Sequence, residues 1–174
     1  MRRLILFRHA KSDHIKGVAD LDRPLAERGR EASPRMGQYL KDEGLLPDLV
    51  LVSPARRTRE TWDLARPPLE PVAMRIEPRI YESPSSRLLD VVREADAGVK
   101  LLMIVGHNPG MHELATRLVG YGDRYAFARL GQKYPTAALA VLDFDVESWG
   151  EVTDRGGRLD RFVVPKDLGV DSDD

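Results

Sequence analysis

The chain has 174 residues, a formal net charge of −1 and no cysteine; 42% of its residues are hydrophobic and 32% charged. This length suits one domain with a sizeable core. The near-neutral charge excludes a bulk electrostatic pull toward nucleic acid or a membrane surface, so any taste for anions must come from a local cluster, and the lack of cysteine excludes disulfides, thiolate metal sites and cysteine nucleophiles and fits a cytoplasmic setting.

The first strand ends near Phe7, in the run Arg3-Leu4-Ile5-Leu6-Phe7 that breaks off into Arg8-His9-Ala10. That run is too short for a signal-peptide core, and no later apolar run approaches a membrane span. Residues 11–30 are polar, carry Gly17, Pro24 and Gly29, and read as a long loop. A helix is predicted from about Glu31 to Glu43, with Met36, Tyr39 and Leu40 on one face and Pro34 in its first turn, where its missing N–H does little harm. Leu49–Val52 is the second strand, and Ser53-Pro54 reads as a helix start, serine capping and proline taking the first helical position. That helix stops at Pro67-Pro68; Val72–Ile76 is a short strand, and Ser85 or Ser86 opens a helix through Leu88, Leu89, Val92 and Ala95. Leu101–Val105 is the third strong strand, after which Asn108-Pro109 repeats the cap-plus-proline start of a helix through Leu114 and Leu118. Gly120–Gly131 reads as irregular. Ala137–Phe144 and Leu159–Val164 read as strands pairing antiparallel at a sheet edge. The expected architecture is a single α/β domain over residues 1–170, a three-layer α/β/α sandwich on a mixed, mostly parallel sheet, with residues 171–174 as an acidic tail.

Three apolar strands thus run into Arg8-His9, Ser53-Pro54-Ala55-Arg56-Arg57 and Gly106-His107-Asn108-Pro109-Gly110. Ligands of open α/β sheets bind at the carboxyl ends of strands. Phosphoryl transfer needs an in-line nucleophile and positive charge around three non-bridging oxygens. A neutral histidine suits the first task and arginine, with its planar fork, the second. Asp13 and Asp22 stand in a basic setting without metal-ligand spacing, so no metal and no cofactor is expected. His14 and His112 carry no motif.

The chain resembles the histidine phosphatase superfamily, with its phosphoglycerate-mutase-like fold, and is most similar to the SixA-like phosphohistidine phosphatases. The likeness rests on Leu6-Phe7-Arg8-His9-Ala10-Lys11-Ser12-Asp13, Asp22-Arg23-Pro24-Leu25 with Gly29, Ser53-Pro54-Ala55-Arg56-Arg57 with Thr61, Val105 to Gly110, and Tyr134-Pro135-Thr136-Ala137-Ala138. It departs at Ala10, where the family signature has glycine. The resemblance implies that His9 is the nucleophile that becomes phosphorylated, that Arg8 and Arg57 bind phosphate, and that His107 hydrogen-bonds the phosphoryl group. Arg57 is chosen over Arg56 because the family's second arginine lies four residues before a threonine, here Thr61. Glu82 lies where many members carry a general acid, although its flanking pattern differs. The implied activity is metal-independent hydrolysis of phosphohistidine in proteins. The rival readings are a phosphatase for small phosphomonoesters and a weakly catalytic module that binds a phosphorylated partner. Nucleic acid and membrane are not expected partners. No apolar helix face stands out as an interface, which leaves a monomer as the simplest expectation.

Overall fold

A computed structural model describes residues 1–170; the acidic tail expected at 171–174 lies outside the described residues. Strands β1 (Arg2–Arg8), β2 (Leu49–Val52), β3 (Ala73–Ile76), β4 (Leu101–Gly106), β5 (Val119–Gly122), β6 (Leu139–Phe144) and β7 (Gly157–Val163) form one sheet in the order β3-β2-β4-β1-β6-β7-β5. β3, β2, β4 and β1 are mutually parallel. β6 runs antiparallel to both β1 and β7, and β5 pairs parallel with β7, so β6 alone points backwards.

Helices α1 (Glu27–Asp42) and α2 (Arg56–Ala65) cover one face, while α3 (Ser85–Arg93), α4 (Gly110–Leu118) and α5 (Arg124–Gln132) cover the other. Both faces of β1 are therefore buried: Leu4 and Leu6 pack with α3–α5, Ile5 and Phe7 with α1 and α2. This explains why β1 reads as an unbroken apolar run rather than an alternation. The three-layer sandwich and its mixed sheet match the expectation. Among the described residues no helix is long and apolar enough to cross a membrane.

Several boundaries differ from the sequence reading. α1 begins at Glu27, so Pro34 sits in its interior rather than its first turn. Two close backbone approaches fix the helix there: a Cβ on Gly29 would stand 2.2 Å from the Lys11 carbonyl oxygen, and one on Gly37 2.0 Å from that of Ala65. An interior proline costs a helix about 3 kcal/mol, but Pro34 and Arg30 both lie on the exposed face, where water reaches the carbonyl left without its partner. α2 begins at Arg56, not at Pro54, and α4 at Gly110, with Pro109 at the cap position. The segment read as irregular, 120–131, holds most of β5 and most of α5, which Asp123 caps by accepting the Ala126 N–H. The sheet edge is accordingly β5, not β7. β5 is only four residues long, two of them glycine, and its partner lies far along the chain, so no local pattern marks it. The loop of residues 11–30 is pinned by a Ser12–Leu25 bridge and a 3-10 turn at Asp20–Asp22.

Candidate active site

The site grows from three adjacent strand ends. Arg8 stands opposite Gly106, and Val52 opposite Val105. The ladder continues one residue further: the His9 N–H donates to the Gly106 carbonyl at 3.0 Å, and the Ser53 N–H to that of Val105 at 3.1 Å. His9, Ser53 and His107 consequently emerge side by side, and the two imidazole centroids lie 5.3 Å apart.

His9 is 6% exposed. Its Nδ1 lies 2.7 Å from the Ala10 carbonyl oxygen. A carbonyl can only accept, so Nδ1 carries the proton and Nε2 keeps its lone pair. Burial holds the His9 pKa well below the ordinary histidine value, and the neighbouring His107, Arg8 and Arg57 push the same way against the Ala10 bond. The result is a neutral imidazole with a nucleophilic Nε2. His107 is held by a 2.7 Å hydrogen bond between Nε2 and Ser53 Oγ, and its pKa is pushed down to about 3 by burial and the Arg57 charge, with Asp20 opposing. Ser53 thus serves as a partner for His107 rather than as a helix cap.

Arg8 donates through Nη1 to the Tyr134 carbonyl at 2.9 Å. Arg57 projects from the first turn of α2 and is 5% exposed. Its neighbour Arg56 turns outward and pairs with Glu60 at 3.2 Å. Thr61 explains the spacing: its hydroxyl donates to the Arg57 carbonyl at 2.7 Å and accepts the Ala10 N–H at 2.9 Å, locking α2 to the end of β1. Arg8, His9, Arg23, Arg57 and His107, with Lys11, Ser12 and Thr136, line a cup of about 200 Å³. Among the described residues no carboxylate lines this cup, and none of the clustered His, Asp and Glu side chains could hold a metal ion. Four cations, two of them also paired with Asp20, stand around two neutral imidazoles and make a receptor for a tetrahedral anion.

Known proteins resemble this chain in sequence and in fold. A family model for the histidine phosphatase superfamily (branch 1) matches residues 4–84. The solved structure of a candidate phosphohistidine phosphatase SixA from Agrobacterium tumefaciens is 30% identical over 94% of this chain and 98% of that one, with a TM-score of 0.80. The chain belongs to the histidine phosphatase superfamily. Among its members it is SixA-like: a second such SixA structure, from Nakamurella multipartitia, has a TM-score of 0.84 at 26% identity, covering 94% and 96% of the two chains. An uncharacterised protein of Mycobacterium tuberculosis is 34% identical over 91% of this chain and 99% of its own length.

Arg8, His9, Arg57 and His107, the residues that the superfamily resemblance singles out, converge on the cup. Ala10, in the place of the signature glycine, is fully buried in the core between β1 and the α1–α2 layer. Glu82 is not in the cup. It is exposed, at a φ of 50°, on the wall of an adjoining cavity of about 520 Å³ that shares Arg57, His107 and Asn108 with it.

Sequence reasoning leaves open whether the loop of residues 11–30 meets the pocket, and does not reveal the bonds by which it straps the site. Asp20 accepts from Arg57 through its backbone oxygen at 2.7 Å and its carboxylate at 3.1 Å. The same carboxylate accepts the Tyr81 hydroxyl at 2.5 Å and Arg23 Nε at 3.0 Å. The Tyr81 bond, reinforced by the Arg57 and Arg23 bonds, lowers the Asp20 pKa to about 2, while burial and Asp20 push Tyr81 up to about 12. Arg23 had been visible only as part of the Asp22-Arg23-Pro24-Leu25 motif; nothing local in sequence reveals that it reaches the cup. His14 lies against Arg23 at the rim. His112 is turned away, its Nε2 2.6 Å from the Leu130 carbonyl oxygen.

Proposed function

We propose that this histidine phosphatase superfamily enzyme hydrolyses phosphohistidine in proteins, without a metal, through a phosphoryl group carried transiently on His9. The observation that carries this reading is the pair of neutral imidazoles 5.3 Å apart in a cup lined by arginines and free of carboxylate. His9 Nε2 attacks phosphorus, the P–N bond to the substrate breaks, and water then cleaves the new P–N bond to His9. Arg8 and Arg57 neutralise the non-bridging oxygens, and His107 stabilises the charge that builds in transfer. Proton donation to an alkoxide leaving group is worth about 10²–10⁴-fold; imidazole leaves more readily, which suits a site whose cup holds no carboxylic acid. The SixA names of two similar structures support phosphohistidine as substrate.

The test is incubation with a phosphorylated histidine phosphotransfer protein, a phosphoserine peptide and small phosphoesters, with a chelator present. Rapid loss from phosphohistidine alone, with an acid-labile phosphate trapped on His9, is the expected result. Equal turnover of sugar phosphates would move the assignment to a small-molecule phosphatase, and binding without turnover to a phospho-recognition module.

A further inference from the structure

The strap occupies an arginine of the cup. Both Nη atoms of Arg57 donate to Asp20, one to its backbone carbonyl at 2.7 Å and one to its carboxylate at 3.1 Å. Paired donors of this kind are what a guanidinium offers a phosphoryl group. Arg57 Nε, meanwhile, is buried without a hydrogen-bond partner, so the arginine is only part satisfied while the strap lies on it. Asp20 is held from two further sides, by the Tyr81 hydroxyl and by Arg23 Nε. With a pKa of about 2 it is an anion at neutral pH. Residues 13–22 are all exposed, Ile15, Val18 and Leu21 among them. Lifting them uncovers little apolar surface and costs chiefly the bonds of Asp20.

We propose that Asp20 is a built-in competitor for the phosphate cup: its carboxylate and carbonyl occupy Arg57 until a phosphoryl group displaces them, and the strap lifts as they part. This rests on Arg57 as a phosphate ligand, which belongs to the function proposed above, and not on phosphohistidine as the substrate. Charge decides the exchange. At equal distance a dianion attracts a guanidinium about twice as strongly as a carboxylate does. A phosphoryl group in the cup also meets Arg8 and Lys11, whereas the Asp20 carboxylate bonds to Arg57 and Arg23. The ligand therefore wins, but at a cost. It binds only the fraction of molecules in which Arg57 is released, and its apparent affinity is weakened by that fraction. A cup with two neutral imidazoles and several cations is in this way kept from filling with any anion at hand.

Two measurements test it: the Kd of inorganic phosphate by calorimetry, and hydrogen exchange of the amides of residues 13–22 with and without saturating phosphate. Asp20→Asn, an exposed change compatible with folding, tightens the Kd about fivefold, the size of one exposed charge pair. Asp22→Asn removes the same charge from the same strap and changes the Kd by less than about twofold. Tyr81→Phe keeps the ring against His107 but frees Asp20 on one side, and tightens the Kd by a smaller factor than Asp20→Asn. In the wild type, saturating phosphate speeds exchange across residues 13–22. A Kd unchanged or weakened in Asp20→Asn, an equal gain in Asp22→Asn, or exchange that slows on binding overturns the proposal. A wild type that binds phosphate but leaves phosphohistidine untouched overturns the substrate reading alone. Phosphate affinity that survives Arg57→Ala intact overturns the role of Arg57 and this proposal with it.

Discussion

The floor of the site and the strap above it are built in opposite ways. His9, Ser53, Arg57 and His107 are buried at strand ends or the first turn of a helix, and backbone ladders fix where each begins. Residues 13–24 are mostly exposed, and their link to the floor is the cluster of bonds made by Asp20 and Arg23. Groups that must meet a transition state gain from rigid placement; groups that admit different substrates gain from exposure. Under the proposed function, the difference fits chemistry at the floor and contact with the substrate's surroundings at the rim.

Breaking the floor at its centre gives the largest effect. His9→Ala lowers kcat/KM by about 10⁴-fold or more, as loss of a nucleophile does elsewhere, and abolishes the acid-labile phosphoenzyme in a rapid-quench trap. Turnover within tenfold of wild type would remove His9 from the mechanism. The adjacent arginines sharpen the contrast. Arg57→Ala costs about 10²–10³-fold in kcat/KM, whereas Arg56→Ala, which removes an exposed pair with Glu60, stays within about twofold in the same assay.

Thr61→Val probes the joint between floor and helix. It leaves the buried Ala10 N–H without its acceptor, and a loss of about 1–3 kcal/mol in urea unfolding is expected. The histidines add a pH signature. Their folded-state pKa values lie below the unfolded value of about 6.5. As pH falls below that value the unfolded chain takes up protons that the folded one refuses, so stability drops. The slope approaches about 1.4 kcal/mol per pH unit for each histidine, and for His107 it persists down toward about 3. Urea midpoints between pH 7 and pH 5 measure it, and His107→Gln flattens the curve. At the rim, Glu82→Gln changes kcat on phosphohistidine by less than about tenfold; a loss of 10² or more would restore it as the general acid.

The same division governs what could be read in advance. The floor was legible because each part carries a local mark: an apolar run buried on both faces, then a break into Arg8-His9, Ser53 or His107. Arg57 was legible through its distance from Thr61, which the structure explains by two hydrogen bonds. The strap was not, because Asp20 meets Arg57 and Tyr81 across 37 and 61 residues and nothing near it signals either partner. Helix starts failed for a related reason. Ser53-Pro54 has the composition of a cap, but α2 starts later, with Ala55 at the cap position, and the serine hydroxyl bonds His107, a partner more than fifty residues away, as well as accepting the Ala55 N–H. The start of α1 was hidden by backbone contacts of Gly29 and Gly37 with Lys11 and Ala65.

One consequence follows from the single reversed strand. β6 returns along β1, and the turn leading into it closes the cup from behind: Arg8 donates to the Tyr134 carbonyl, the Ala137 N–H to that of His9, and the Tyr134 hydroxyl to that of Leu6. A nascent polypeptide that has reached residue 133 already contains both histidines and both arginines, yet lacks the carbonyls and amide that brace them. Synthesis on the ribosome therefore yields no competent catalyst until residues 134–144, the bracing turn and β6, have been added.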